Sequence, residues 1–299
     1  MEASIRPPDP AIVRSRLDIA LAEDGFDRDL SSRAAAGAGS GDGVRRFALV
    51  ARQEGLFAGA AVLGAVVERF SGQLAIELVT GDGRRFARGE CLAIVEGRVG
   101  TILALERTLL NFLQRLCGVA TLTAAFVRAV EGTDVRIYDT RKTIPGWREL
   151  DKYAVRCGGG FNHRFGLHDA VLFKDNHLAG IPAGKLARAV AQMVRRAREA
   201  DPPPAFVEVE VDSLDQLRQL IEVEGIDLFL LDNFGLEDLR EAAAIRDAAR
   251  LRGRVELEAS GGISLASAGA MARTGIDRLS VGAITHSAPA VDLGLDEHS

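Results

Sequence analysis

Val207-Glu208-Val209-Glu210-Val211-Asp212 sets valines and carboxylates on alternate positions of one short β-rich run. Successive side chains of a strand point to opposite faces, so one face here is apolar and the other acidic. A strand of an open parallel sheet is buried on both faces and reads as a near-continuous apolar run. The alternation therefore predicts a strand whose second face meets a polar interior, as in a barrel. The same grammar extends in both directions. Residues 206–211 sit among further β-rich runs at 135–139, 170–174, 227–231, 255–259 and 278–282, and helical periodicity fills 183–199, 214–223, 236–251 and 266–273. Alternating strand and helix implies parallel strands with helical crossovers. Six strands are fewer than a complete barrel needs, so the expectation is an incomplete (β/α) barrel.

The N-terminal part reads differently. Residues 10–24 form a helix with Ile12, Val13, Leu17, Ala20 and Leu21 on one face, stopped at Gly25. Residues 34–43 are small and glycine-rich, a flexible surface loop. A strand at 47–51, a buried helix at 56–70 and short strands at 74–79, 84–87 and 92–95 make a compact α+β unit. Residues 101–130 then read as a bridging helix with Leu105, Leu109, Phe112, Leu113 and Leu116 on its apolar side, broken near Gly118. The expected division is an N-terminal α/β domain with the bridging helix over 1–115 and a barrel domain carrying the active site over 116–299.

Composition narrows the function. Of 299 residues 47% are apolar, enough for a substantial core. A net charge of −5 and only 5% aromatic residues disfavour a nucleic-acid-coating surface. The longest near-uniform apolar stretch, 56–67, falls short of the roughly 20 residues that span a bilayer, and the first ten residues lack the pattern of a secretory signal. Cys91, Cys117 and Cys157 are isolated and odd in number, as expected of reduced thiols in a cytoplasmic protein.

Charge is unevenly spread. Residues 136–174 hold eight basic and four acidic side chains, a local +4 that leaves −9 for the rest of the chain. A cationic focus on an acidic protein suggests a small anionic ligand. Asp139-Thr140-Arg141-Lys142-Thr143 follows one strand, Asn162-His163-Arg164 follows three glycines, and Lys174-Asp175-Asn176-His177 ends another strand. Strand carboxyl ends are where barrels bind ligands. Arginine offers a fork to a carboxylate or phosphate, lysine a point charge, histidine a donor that also passes protons. Glu208 and Glu210 share a face, and Asp232 closes the next strand. Such carboxylates need cations or a metal, and Lys142 and Lys174 are the candidate partners. Ser260-Gly261-Gly262 and Gly282-Ala283 follow the last two strands, where glycines let backbone amides approach a phosphate. The five histidines show no zinc spacing, and there is neither a P-loop nor a nucleophile elbow.

These residues resemble a known family. Glu106-Arg107-Thr108-Leu109-Leu110-Asn111, Asp139 to Gly146, Lys152-Tyr153-Ala154-Val155, Gly158 to Arg164, Lys174 to His177, Glu208 to Val211, Leu231 to Phe234 and Glu258 to Ile263 occur in the order of the quinolinate phosphoribosyltransferases, across essentially the whole chain. Departures are Asp27-Arg28-Asp29-Leu30-Ser31-Ser32 in place of a Gly-Asp-Leu-Thr-like turn, and Trp147 where a smaller apolar residue is common. The resemblance implies that quinolinate and 5-phosphoribosyl-1-pyrophosphate (PRPP), with Mg2+, yield nicotinate mononucleotide, pyrophosphate and CO2 in de novo NAD biosynthesis, without an organic cofactor. It assigns Arg141, His163, Arg164 and Lys174 to the two carboxylates of quinolinate, with Arg107 from the other subunit of a homodimer. It assigns Lys142 to the pyrophosphate or the quinolinate edge, and Glu210 and Asp232 to the ribose hydroxyls and the metal; these three are the catalytic set. Thr140, Ser260, Gly261, Gly262, Gly282, Ala283 and His286 complete the substrate-binding set, the last loops holding the 5-phosphate. Three other readings are weighed: a paralogue of the same fold associated with molybdenum transport, against which the Asn162-His163-Arg164 and Lys174-Asp175-Asn176-His177 runs are of the quinolinate type; a barrel lyase or aldolase with Lys174 as Schiff base; and a phosphometabolite-binding protein without turnover.

Overall fold

The computed structural model describes residues 5–35 and 43–298. Most of the glycine-rich run at 34–43 lies outside them. The chain divides into two compact units, one of residues 1–124, 143–159 and 284–299, the other of 125–142 and 160–283.

In the first unit the opening helix is Pro10–Asp24. The Asp9 side chain accepts from the Ala11 N–H at 2.8 Å, proline occupies the first turn, and Gly25 ends the helix in the left-handed region at φ 70°. Val13, Leu17 and Leu21 are its buried face. The strands are β1 (Val44–Ala51), β2 (Gly55–Leu56), β3 (Leu74–Leu78), β4 (Arg85–Phe86) and β5 (Cys91–Arg98). β1 and β3 flank β5 antiparallel, and β2 pairs with β4. The predicted helix at 56–70 is shorter, Ala60–Arg69, because Leu56 is taken into β2.

The bridging helix is Val99–Ala129 and runs unbroken through Gly118, against expectation. A Cβ on Gly118 would lie 2.1 Å from the carbonyl oxygen of Pro289. The glycine therefore admits close packing of the C-terminal segment, at the roughly 1 kcal/mol that glycine costs inside a helix. By length and composition this helix could cross a membrane, which the shorter stretch at 56–67 could not. Leu105, Leu109, Leu113 and Leu116 are nonetheless buried within the protein, as befits a core helix. A helix at Arg148–Cys157 was not anticipated, its periodicity hidden by five basic or acidic residues on ten positions; Asp151 is fully buried and paired with Arg115 at 3.0 Å. Trp147 stacks on Phe112 with ring centroids 4.8 Å apart, and Asp29 accepts the Ser31 N–H at 2.9 Å at the start of a short helix, Leu30–Ala35. Both unusual sequence positions are thus packed or capped.

The second unit is built on β6 (Arg136–Tyr138), β7 (Val171–Phe173), β8 (Val207–Val211), β9 (Leu228–Asp232), β10 (Glu256–Ser260) and β11 (Arg278–Ser280), in the order β6-β11-β10-β9-β8-β7. Every pairing is parallel. β7 to β11 are neighbours in chain order and β6 joins beside β11, a cyclic order cut between β6 and β7. A doubly wound sheet would instead reverse direction at a switch point. This is the order of a singly wound barrel that is not closed. The crossover helices are Leu186–Arg198, Leu214–Leu220, Leu236–Ala248 and Leu265–Met271, the second and fourth capped by Ser213 and Ser264. Val207, Val209 and Val211 are buried on one face of β8, and Glu208, wholly buried, on the other. After the sheet the chain returns to the first unit as β12 (Leu293–Glu297), antiparallel to β1, a strand the sequence reading did not identify.

Candidate active site

The period of two in each parallel strand sends alternate side chains inward, and the loops beyond the carboxyl ends carry the polar groups. Thr140, Arg141, Lys142, His163, Arg164, Lys174, Glu210, Asp232 and Ser260 line one cavity of about 340 Å³, with Leu172, Leu230, Glu258 and Ser280. Leu172 and Leu230 lie two residues before Lys174 and Asp232 on their strands and supply apolar lining. Glu258 and Ser280 precede Ser260 and Gly282 by the same interval, the signal that could have drawn them into the sequence-derived set.

Local hydrogen bonds hold the loops. The Thr140 hydroxyl accepts the Lys142 N–H at 3.0 Å. Fully buried Asp139 accepts the His163 N–H at 2.9 Å and the Asn162 side-chain amide at 2.6 Å, which fixes the loop after the glycines. Arg164 donates to the Ala170 carbonyl at 3.3 Å. Burial and the nearby charge of Arg141 hold the Arg164 guanidinium below its ordinary pKa, the strain expected of two cations gathered for an anion. Lys174 Nζ contacts Glu210 Oε2 at 2.8 Å. A second cavity of about 420 Å³ shares Glu210 and Asp232 and adds Asp175 and Asp212, an acidic hollow beside the cationic one. Asp232 accepts from the Asn233 amide at 2.8 Å, and Asn233 is itself left-handed at φ 57°. Gly261 (φ 98°) has to be glycine, since a Cβ there would stand 2.1 Å from Asn233 Oδ1.

The deepest part of the site is a buried trio. His163 Nε2 lies 3.0 Å from Glu208 Oε2 and 3.3 Å from Glu258 Oε1, which also accepts from Ser280 Oγ at 2.5 Å. Glu208 therefore meets a histidine, whereas the sequence suggested lysine partners. Burial opposes charge on His163, while Glu258 and Glu208 draw its pKa upward. Against that, Nδ1 accepts the Arg164 N–H at 2.8 Å, and a second ring proton would be aimed at that donor. The neutral ring with its proton on Nε2 suits the contacts at both ring nitrogens, and both Glu208 oxygens and Glu258 Oε2 are left without a hydrogen-bond partner among the described residues. Burial, with the charge of Glu258 beside it, raises the pKa of the Glu208 carboxyl above its ordinary range. The three ligand-type atoms lie within 4.8 Å of one another, yet with its proton on Nε2 the imidazole offers no lone pair to a metal there.

The remaining predicted residues fall elsewhere. Gly261, Gly262, Gly282 and Ala283 follow β10 and β11 without lining the cavity. Arg107, exposed on Val99–Ala129, and His286, whose Nδ1 contacts Ser287 Oγ at 2.6 Å, belong to the first unit. The cationic run 136–174 is also not one patch. Arg148, Lys152 and Arg156 are in the first unit, and Arg136 pairs with Glu256 at the opposite strand ends, so only four of the eight basic residues reach the cavity.

Comparison with known proteins gives a consistent match. The family model of the quinolinate phosphoribosyl transferase C-terminal domain matches residues 119–296, and that of the N-terminal domain residues 29–117. The nicotinate-nucleotide pyrophosphorylase [carboxylating] of Mycobacterium leprae is 42% identical over 287 residues, 95% of this chain and 96% of the relative. A probable enzyme of the same name from Bacillus subtilis is 38% identical, covering 83% of this chain and 82% of the relative. Among solved structures, the nicotinate-nucleotide pyrophosphorylase from Francisella tularensis superposes with a TM-score of 0.87 at 37% identity, with both chains fully covered.

Proposed function

The chain belongs to the quinolinate phosphoribosyltransferase family, and from that premise we propose how its residues divide the work of a carboxylating nicotinate-nucleotide pyrophosphorylase, a pentosyltransferase (EC 2.4.2.19). The reaction joins the pyridine nitrogen of quinolinate to C1 of PRPP, expels pyrophosphate and then loses CO2, giving nicotinate mononucleotide for NAD synthesis. The observation that carries the division of roles is the pairing of a cationic cavity, floored by Leu172 and Leu230, with an acidic hollow, the two meeting at Glu210 and Asp232.

Quinolinate is a flat dianion. Arg141, Arg164 and Lys174 neutralise its carboxylates while the leucines accept the ring, which holds the nitrogen toward the shared carboxylates. Arg107 of a second copy completes the cationic set in a homodimer. Glu210 and Asp232 orient the ribose hydroxyls and stabilise positive charge growing at the anomeric carbon as the bond to pyrophosphate lengthens. Lys142 meets the departing pyrophosphate. The Ser260 and Gly282 loops take the 5-phosphate. The carboxylate oxygens of Asp175, Glu210, Asp212 and Asp232 are hard donors that would hold Mg2+ arriving with PRPP, where it would neutralise charge on the leaving pyrophosphate. Once the ring nitrogen is alkylated, its positive charge stabilises the carbanion left at C2 when CO2 departs, and a proton from water takes the place of CO2 at C2. Thr140 shapes the loop that presents Arg141 and Lys142. We place the enzyme in the cytoplasm, where its phosphorylated substrate is found.

The test is release of labelled CO2 from carboxyl-labelled quinolinate. One CO2 and one pyrophosphate per mononucleotide, abolished by omitting PRPP or by excess chelator, are expected. Binding without turnover, or a borohydride-trappable adduct on Lys174, would favour the binding-protein or aldolase reading.

A further inference from the structure

His163 lines the cavity, and a histidine beside arginines invites a role as a donor to the substrate. Its hydrogen bonds say otherwise. A backbone N–H can only donate, so the contact from Arg164 at 2.8 Å requires Nδ1 to be an acceptor. The one ring proton is then on Nε2, which faces Glu208 at 3.0 Å and Glu258 at 3.3 Å. Turning the ring over would put carbon atoms at both contacts, so the orientation is fixed from its two ends. Ser280 donates to Glu258 Oε1, whereas both oxygens of Glu208 and Glu258 Oε2 meet no hydrogen-bond donor among the described residues, so Nε2 holds Glu208 Oε2 as a close charge contact rather than as a formed hydrogen bond. The backbone N–H of His163 is bound to Asp139 as well. Position 163 is thus anchored to the strand bearing Glu208, to the strand bearing Glu258 and to the end of β6, with neither ring nitrogen directed to a ligand.

We propose that His163 is a positioning residue, a bracket that Glu208 and Glu258 hold from behind and that in turn fixes the backbone of Arg164, whose guanidinium reads the substrate carboxylate. This rests on the quinolinate reading of the cavity. It reassigns His163 from the substrate-contacting set, and brings in two glutamates as its supports.

Two measurements decide it. In the free protein labelled with 15N-histidine, the His163 signals, identified by their loss in His163→Ala, should show a proton on Nε2 and an accepting Nδ1, unchanged when quinolinate binds. Calorimetric quinolinate binding to Arg164→Ala, His163→Ala and the double variant should be strongly non-additive. Each single change should weaken binding about tenfold to a hundredfold, and the double should be within about twofold of the weaker single, because the bracket acts only through Arg164. Glu258→Gln should weaken quinolinate about tenfold and leave PRPP binding intact. Multiplicative losses in the double variant, or an Nδ1 proton in the bound state, would overturn the bracket. Absence of any quinolinate binding by the parent protein would sink the substrate assignment instead, and the spectrum of the free protein would still decide how His163 is held.

Discussion

Replacing Arg164 by alanine takes from the cavity a guanidinium that is only 8% exposed and is already destabilised by burial and by Arg141. Its loss removes a charge-assisted hydrogen bond to the dicarboxylate, about 1.5–3 kcal/mol, which corresponds to a fall in kcat/KM for quinolinate of about tenfold to a hundredfold. The fold should hardly notice. Arg164→Ala gives up the bond to the Ala170 carbonyl at 3.3 Å, about 0.5–1.5 kcal/mol, but it also relieves repulsion within the empty cationic set. The two terms have opposite sign and similar size, so Tm should move by no more than about 2–4 °C. Initial rates of pyrophosphate release with quinolinate and PRPP varied in turn, and thermal unfolding of the same preparation, measure both. The reasoning is refuted if kcat/KM for quinolinate stays within twofold of the parent, or if the defect appears in the KM for PRPP alone.

Gly261→Ala should destabilise the protein by about 1–3 kcal/mol and cut turnover, because its Cβ would collide with Asn233 Oδ1 at 2.1 Å in a backbone region alanine avoids; unchanged Tm and activity would contradict this geometry. Burial pushes the Cys117 thiol up to about 12 and also raises Cys157 and Cys91, but of the three only Cys91 is partly open to solvent. At pH 8 the thiolate fraction of Cys117 is then about 10⁻⁴, so native protein should label at Cys91 alone and at all three cysteines only after unfolding, as peptide mass mapping would reveal.

Legibility followed the physics of each segment. All six strands of the parallel sheet were readable because alternating or apolar runs between helices have few other meanings. The strand-end positions of Lys174, Glu210, Asp232 and Ser260 followed from the same periodicity. Gly118 misled because propensity marks glycine as a breaker, while its purpose is a tertiary contact with Pro289 that local sequence does not record. The helix Arg148–Cys157 was hidden because its charges suggested a ligand site, although Asp151 and Lys152 are buried. For the same reason a run of eight basic residues could not be resolved into those that line the cavity and those that brace the fold. The partnership of His163 with Glu208 and Glu258 joins residues 45 to 95 positions apart, and only the strand order brings them together.

The central claim is that the cationic cavity is built for two carboxylates. Its most direct test is the ratio of kcat/KM for quinolinate to that for nicotinate, which lacks the 2-carboxylate, both followed as mononucleotide formation by the parent protein. Nicotinate would strand part of the set formed by Arg141, Arg164 and Lys174 without a counter-ion, and sites built around polar groups reject such analogues by roughly 10⁴-fold or more. A ratio of that order in favour of quinolinate is predicted; comparable values for the two acids would contradict the assignment of the cavity.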